Sequence, residues 1–201
     1  MKETYEILLP PHKLDYDNWD KLKADSYLIW FQQHAPERAR YVLEKAHITN
    51  REEPIAPEVL KKVWKWFLNN VCTIEYIPEE EYDRIKVIYK KFGEKSGFLE
   101  RRRLSVFTEY VITDIAMLMS WVWLENAKSL YWGIDYRPKN LAFVNQPAIK
   151  GFIDSRSGKS FQLSFVPVNM VHVQAVKAIK NRANDNDLYN LYMQWSKFVP
   201  N

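Results

Sequence analysis

With 201 residues, 47% of them hydrophobic and 15% aromatic, the chain can bury a full core without staples, which excludes disorder and a disulfide scaffold. The single cysteine, Cys72, can form no intramolecular disulfide and fits a reducing, cytoplasmic compartment. A net charge of +4 is too small to argue for nucleic acid by itself.

The first eleven residues, Met1 to Pro11, carry acids early and no long apolar run, and so do not read as a signal peptide. A first helix is predicted over Asn18 to His34. Asp17 or Asn18 would cap it, and Trp19, Leu22, Ile29 and Trp30 would form its apolar stripe. Pro36 then opens a second helix with a narrow stripe of Ala39, Val42, Leu43 and Ala46. After a polar loop over Arg51 to Ala56, Pro57 opens a third helix, in which Leu60, Val63, Trp64 and Phe67 follow helical spacing.

Pro78 opens a fourth helix. Glu79, Glu80 and Glu81 suit the positive end of its dipole, and Gly93 is placed to end it. Its inner face reads Tyr82, Ile85, Ile88, Tyr89 and Phe92. A charged connector over Glu94 to Arg103 reads as a solvated turn rather than a phosphate site. The long helix from Ser105 to Lys128 is apolar on nearly all sides, so other elements should surround it. Glu109, Thr113, Asp114 and Ser120 within it make a membrane span unfavourable.

After Ser129 the pattern becomes aromatic and β-branched. Leu130 to Tyr136, Ala142 to Ile153 and Ser160 to Val166 read as three strands of a small antiparallel sheet, with Pro147 arguing for an edge position or a bulge in the second. Pro167 opens a helix to Asn181, and Asp187 to Phe198 forms a last amphipathic helix. The expected fold is therefore α+β, one domain over 1–201, with six or seven helices and a three-stranded sheet in the C-terminal third.

Few residues invite chemistry. The four histidines do not pair at i+3 or i+4, and none neighbours Cys72 in sequence, so no metal or cofactor is expected. His172 shares a stripe with Val168, Val171, Ala175, Val176 and Ile179, which favours a satisfied core or boundary residue. Asp114 lies among Tyr110, Val111, Leu118 and Trp121. It reads as a buried ion pair or cap, and in the alternative as the general base of an enzyme. From Asn126 to Arg182 there are nine bases against two acids, Asp135 and Asp154. That excess reads as a solvated face balanced in space by acidic helices, or as a docking surface for an acidic partner.

Several short stretches carry a resemblance: Ser129-Leu130-Tyr131-Trp132-Gly133, Pro138-Lys139-Asn140, Asn145-Gln146-Pro147, Gly151-Phe152 and Asp187 to Tyr192, with Tyr27 to Phe31 and Pro36-Glu37-Arg38 earlier. Together they resemble a group of uncharacterised bacterial proteins similar to immunity proteins found near toxins. The likeness spans most of the chain, although the family pattern has Gly-Glu where this chain has Ser120-Trp121. The resemblance implies a non-enzymatic protein that neutralises a toxin by occlusion. Its candidate contacts are Arg137, Lys139, Arg156 and Lys159 on the basic strand-and-turn region, with an acidic toxin domain as partner. The alternatives are a nucleic-acid-binding accessory protein and an enzyme using Asp114.

Overall fold

The computed structural model describes residues 5–49, 54–91, 100–137, 143–155 and 160–200. Helix α4, Val106–Asn126, is the axis of the fold. Ser105 caps it by accepting from the Thr108 N–H, and Val111 to Ser120 are all buried. A helix apolar on every side needs cover on every side. Helix α1, Lys21–Lys45, lies along one flank and α5, Pro167–Ile179, along another.

The sheet consists of β3 (Tyr131–Ile134), β4 (Pro147–Asp154) and β5 (Phe161–Phe165), antiparallel, with β4 in the middle. Its inner face meets the end of α4, where the Trp123 ring lies 5.0 Å from Phe152 and 6.0 Å from Phe165. Helix α6, Asp187–Trp195, closes this cluster by stacking Tyr192 on Trp123 at 4.0 Å, and α2, Val59–Asn70, packs against α6. Each such large side chain contributes about 1.5–3 kcal/mol through burial. The ring pairs add about 0.5–1.5 kcal/mol each. The expected α+β class and three-stranded antiparallel sheet are both present.

Helix α1 departs from expectation. It is one helix, with Pro36 inside it and its N-cap at Asp20, which accepts from the Lys23 N–H at 2.8 Å. Proline removes one ladder bond. Here Phe31, Ala35, Arg38 and Ala39 anchor both sides of the gap in the core. The buried stripe is Ala24, Tyr27, Phe31, Ala35, Arg38, Ala39 and Val42, whereas Leu22 is 79% exposed and Ile29 also faces out. The larger rings of Tyr27 and Phe31 set the inward face.

A second, two-stranded sheet was not anticipated. In it β1 (Ile74–Tyr76) pairs antiparallel with β2 (Arg102–Leu104), across the segment that holds α3, Glu79–Lys91. Tyr82 is buried as expected of α3, but Ile88 is exposed, and the side chain of Tyr89, Phe92 and Gly93 lie outside the described residues.

Pro147 begins the central strand rather than an edge strand. It sits opposite Ile134 at the end of the β3–β4 register, where the ladder needs no further N–H. The irregularity comes later in β4, between Ile149 and Phe152, where Gly151 adopts φ +103°. A Cβ at Gly151 would lie 2.5 Å from the Ser129 carbonyl oxygen, so only glycine fits.

Candidate functional site

Of the four candidate contacts, Arg137 is described; Lys139, Arg156 and Lys159 lie outside the described residues. Arg137 follows β3 and is exposed, with no ion-pair partner among the described residues. It lines a cleft of about 350 Å³ with Asp17, Trp19, Asp20, Lys21, Tyr136 and Asn145. Local hydrogen bonds fix the cleft's walls. Asn145 takes a left-handed turn, φ 61°, and its Nδ2 donates to the carbonyls of Tyr16 (2.9 Å) and Trp19 (3.1 Å). The Tyr136 hydroxyl donates to Asp25, and Lys21 Nζ lies 5.5 Å from the Tyr136 ring centre. The result is the half-buried Tyr136 ring beside a guanidinium with no ion-pair partner among the described residues, with both signs of charge at the rim.

The wider basic excess is partly balanced in space. Lys150 pairs with Asp135 and donates to Ser164 Oγ at 2.7 Å. Lys177 pairs with Asp187 at 3.0 Å and Lys180 with Glu100 at 3.7 Å, both acids lying outside the Asn126 to Arg182 segment. The described residues nearest the two candidate turns also lie apart. Arg137 adjoins the Pro147 end of β4, whereas Ser155 and Ser160 adjoin its Asp154 end.

Asp114 is a buried ion pair. Arg38 Nε reaches Oδ1 at 3.0 Å and its NH2 reaches Oδ2 at 2.6 Å, while the Tyr5 hydroxyl donates to Oδ2 at 2.7 Å. Asp114 is 2% exposed and Arg38 6%. Arg38 also donates to the Glu6 carbonyl and lies over the Tyr41 ring at 4.2 Å. Burial pushes the Asp114 carboxyl above the usual carboxylate range, against the pull of Arg38 and Tyr5. Burial and the Asp114 charge likewise push the Tyr5 hydroxyl well above its ordinary range. With both oxygens engaged, this carboxylate serves to clamp the N-terminal segment onto α1 and α4.

A second acid–base contact joins α4 to α5. His172 Nε2 lies 3.1 Å from Glu109 Oε1, with the two side chains 39% and 44% exposed. The hydrogen bond to Glu109 raises His172 above its ordinary value of 6.5, outweighing partial burial. Glu109 also acts on Cys72. Burial, with that charge, pushes the thiol up to about 11, which leaves it protonated and unreactive at neutral pH. Among the described residues no group of three His, Cys, Asp or Glu side chains is arranged to hold a metal.

The three arginines are not a solvated turn. Arg102 and Arg103 belong to β2, where Arg103 bonds Glu75 (2.8 Å) and Glu81 (2.6 Å) and Arg102 donates to the Ile179 carbonyl. Arg101, just before the strand, pairs with Glu79 at 2.9 Å. Glu79 and Glu81 therefore hold a sheet as well as suiting a helix dipole.

Among the described residues no helix is long and apolar enough to cross a membrane. No family profile, curated protein or solved structure matches the chain.

Proposed function

We propose that this chain is a non-enzymatic binding protein, a bacterial immunity protein that neutralises a toxin by occluding it. The observation that carries the reading is the surface at Arg137, an exposed arginine with no ion-pair partner among the described residues, beside the half-buried ring of Tyr136. Arginine, tyrosine and tryptophan are the side chains that most often anchor protein interfaces. Backbone caps already hold this surface in place, so binding would order few groups. The sequence resemblance to immunity-type proteins points the same way, and an acidic toxin domain suits the exposed guanidinium of Arg137.

The alternatives have less support. Asp114 offers no free oxygen for a general base. Arg101, Arg102 and Arg103 are held by glutamates and a carbonyl instead of standing ready for phosphate. The test is co-expression with the product of the adjacent gene, followed by purification of the tagged chain. A retained complex and protection of the host support the reading. The absence of both a complex and protection overturns it. Binding unchanged by alanine at Arg137, Lys139, Arg156 and Lys159 together removes this docking surface.

A further inference from the structure

Strand β5 is an edge strand. It pairs with β4 through Phe161–Asp154, Gln162–Ile153, Leu163–Phe152 and Phe165–Ile149. Beyond that ladder, residues 161–165 make no backbone hydrogen bond to another described residue. In an antiparallel strand, half of the N–H and C=O groups point away from the neighbour and seek a partner. Proteins blunt such edges by keeping them very short or by adding a charge, a proline or a bulge. β3, the opposite edge, is four residues long and interrupted by Gly133. β5 has five residues, Phe-Gln-Leu-Ser-Phe, with no charge and no proline.

Its sequence also reads alike in both directions. If two copies meet antiparallel about Leu163, then Phe161 faces Phe165 of the partner subunit, Gln162 faces Ser164 of the partner subunit, and the two Leu163 residues meet on the axis. A two-fold contact requires this kind of self-complementarity. The register also lays a second backbone beside Phe161, whose ring is 52% exposed although its strand-mates Leu163 and Phe165 face the core. From these observations we infer that β5 is a self-association edge, on which a second copy of this chain pairs to give a continuous six-stranded sheet. Five paired residues cover less than the roughly 1,200–2,000 Å² of a standard interface, so the dimer is weak and concentration-dependent.

The geometry supplies a signed test. Ser164 Oγ accepts from Lys150 Nζ at 2.7 Å, and Lys150 is in turn paired with Asp135, so the residue opposite Ser164 in the dimer lies beside the cationic end of an ion pair. Gln162 is exposed, and changing it should leave the fold intact. Sedimentation is measured over a concentration series up to about 1 mM, the range in which a weak contact becomes visible. The wild type should show a monomer–dimer equilibrium. Gln162→Lys sets one added cation toward the Lys150 of each copy, across two symmetric contacts, and should weaken the dimer roughly 2- to 30-fold. Gln162→Glu should strengthen it, and circular dichroism should show both variants folded. A wild type that stays monomeric throughout overturns the inference. So does a dimer indifferent to both substitutions, since its interface is then elsewhere. A strand added only by a different protein also overturns it.

Discussion

Replacing Asp114 with Asn should be among the most damaging single changes in the protein. The substitution keeps the shape but leaves the Arg38 guanidinium, 6% exposed, facing an uncharged amide. It also replaces the carboxylate that accepts from the Tyr5 hydroxyl. Breaking a buried ion pair by removing one partner costs about 3–5 kcal/mol, because the remaining charge is desolvated and uncompensated. For a chain of this length, about 2–4 °C of Tm accompanies each kcal/mol. The expected loss is therefore roughly 6–20 °C. Urea unfolding of the wild type, Asp114→Asn, Asp114→Leu, Arg38→Met and the double variant Arg38→Met/Asp114→Leu completes the argument. The double variant should recover most of what Asp114→Asn loses, since well-packed apolar replacements of buried pairs are near neutral. A loss below about 1 kcal/mol for Asp114→Asn, or costs that simply add in the double variant, would refute the idea that this pair holds the N-terminal segment.

Other outcomes follow from the same contacts. Gly151→Ala should cost about 1–3 kcal/mol from strain at φ +103°. Gly133→Ala should cost less in a denaturant titration, because the atom it meets is Cγ of the flexible Lys150 side chain, 2.8 Å away. Leu22→Lys, on the outward face of α1, should change stability by no more than about 0.5 kcal/mol. Phe31→Ala, on its inward face, should cost about 3–5 kcal/mol, and equal effects would reverse the assigned faces. The raised pKa of His172 contributes stability that is fully present below pH 6.5 and lost as pH rises through the folded value above it. His172→Gln should flatten this part of the stability–pH curve, and a wild-type curve already flat above pH 6.5 would show that the Glu109 contact is not made.

Local signals carried the fold well where one periodicity was clean. Leu60, Val63, Trp64 and Phe67 are all buried on α2, and the uniformly apolar α4 is enclosed on all sides. The misread face of α1 had a visible clue. Arg38 lies on the stripe of Ala35, Ala39 and Val42, and an arginine there is stable only opposite a buried acid. Asp114 was legible as that kind of acid, but its pairing with Arg38 and Tyr5 spans 76 and 109 positions, which no local pattern reveals. The same limit hid β1 and β2. Three-residue strands lack a periodic signal, and the Arg-Arg-Arg stretch looked solvated until Glu75, Glu79 and Glu81 were brought beside it. The site at Arg137 joins the segment that leads into α1 with the β3–β4 connection, so only its arginine could be named from sequence.

Stoichiometry separates an occluding binder from a catalyst most directly. Purified chain should be titrated into a fixed amount of the adjacent gene's product while the activity that product loses is followed. Occlusion predicts that inhibition rises linearly and saturates when each target molecule holds one copy. Complete inactivation by a small fraction of that amount, growing with incubation time, would mean that the chain turns over and would contradict the proposed function.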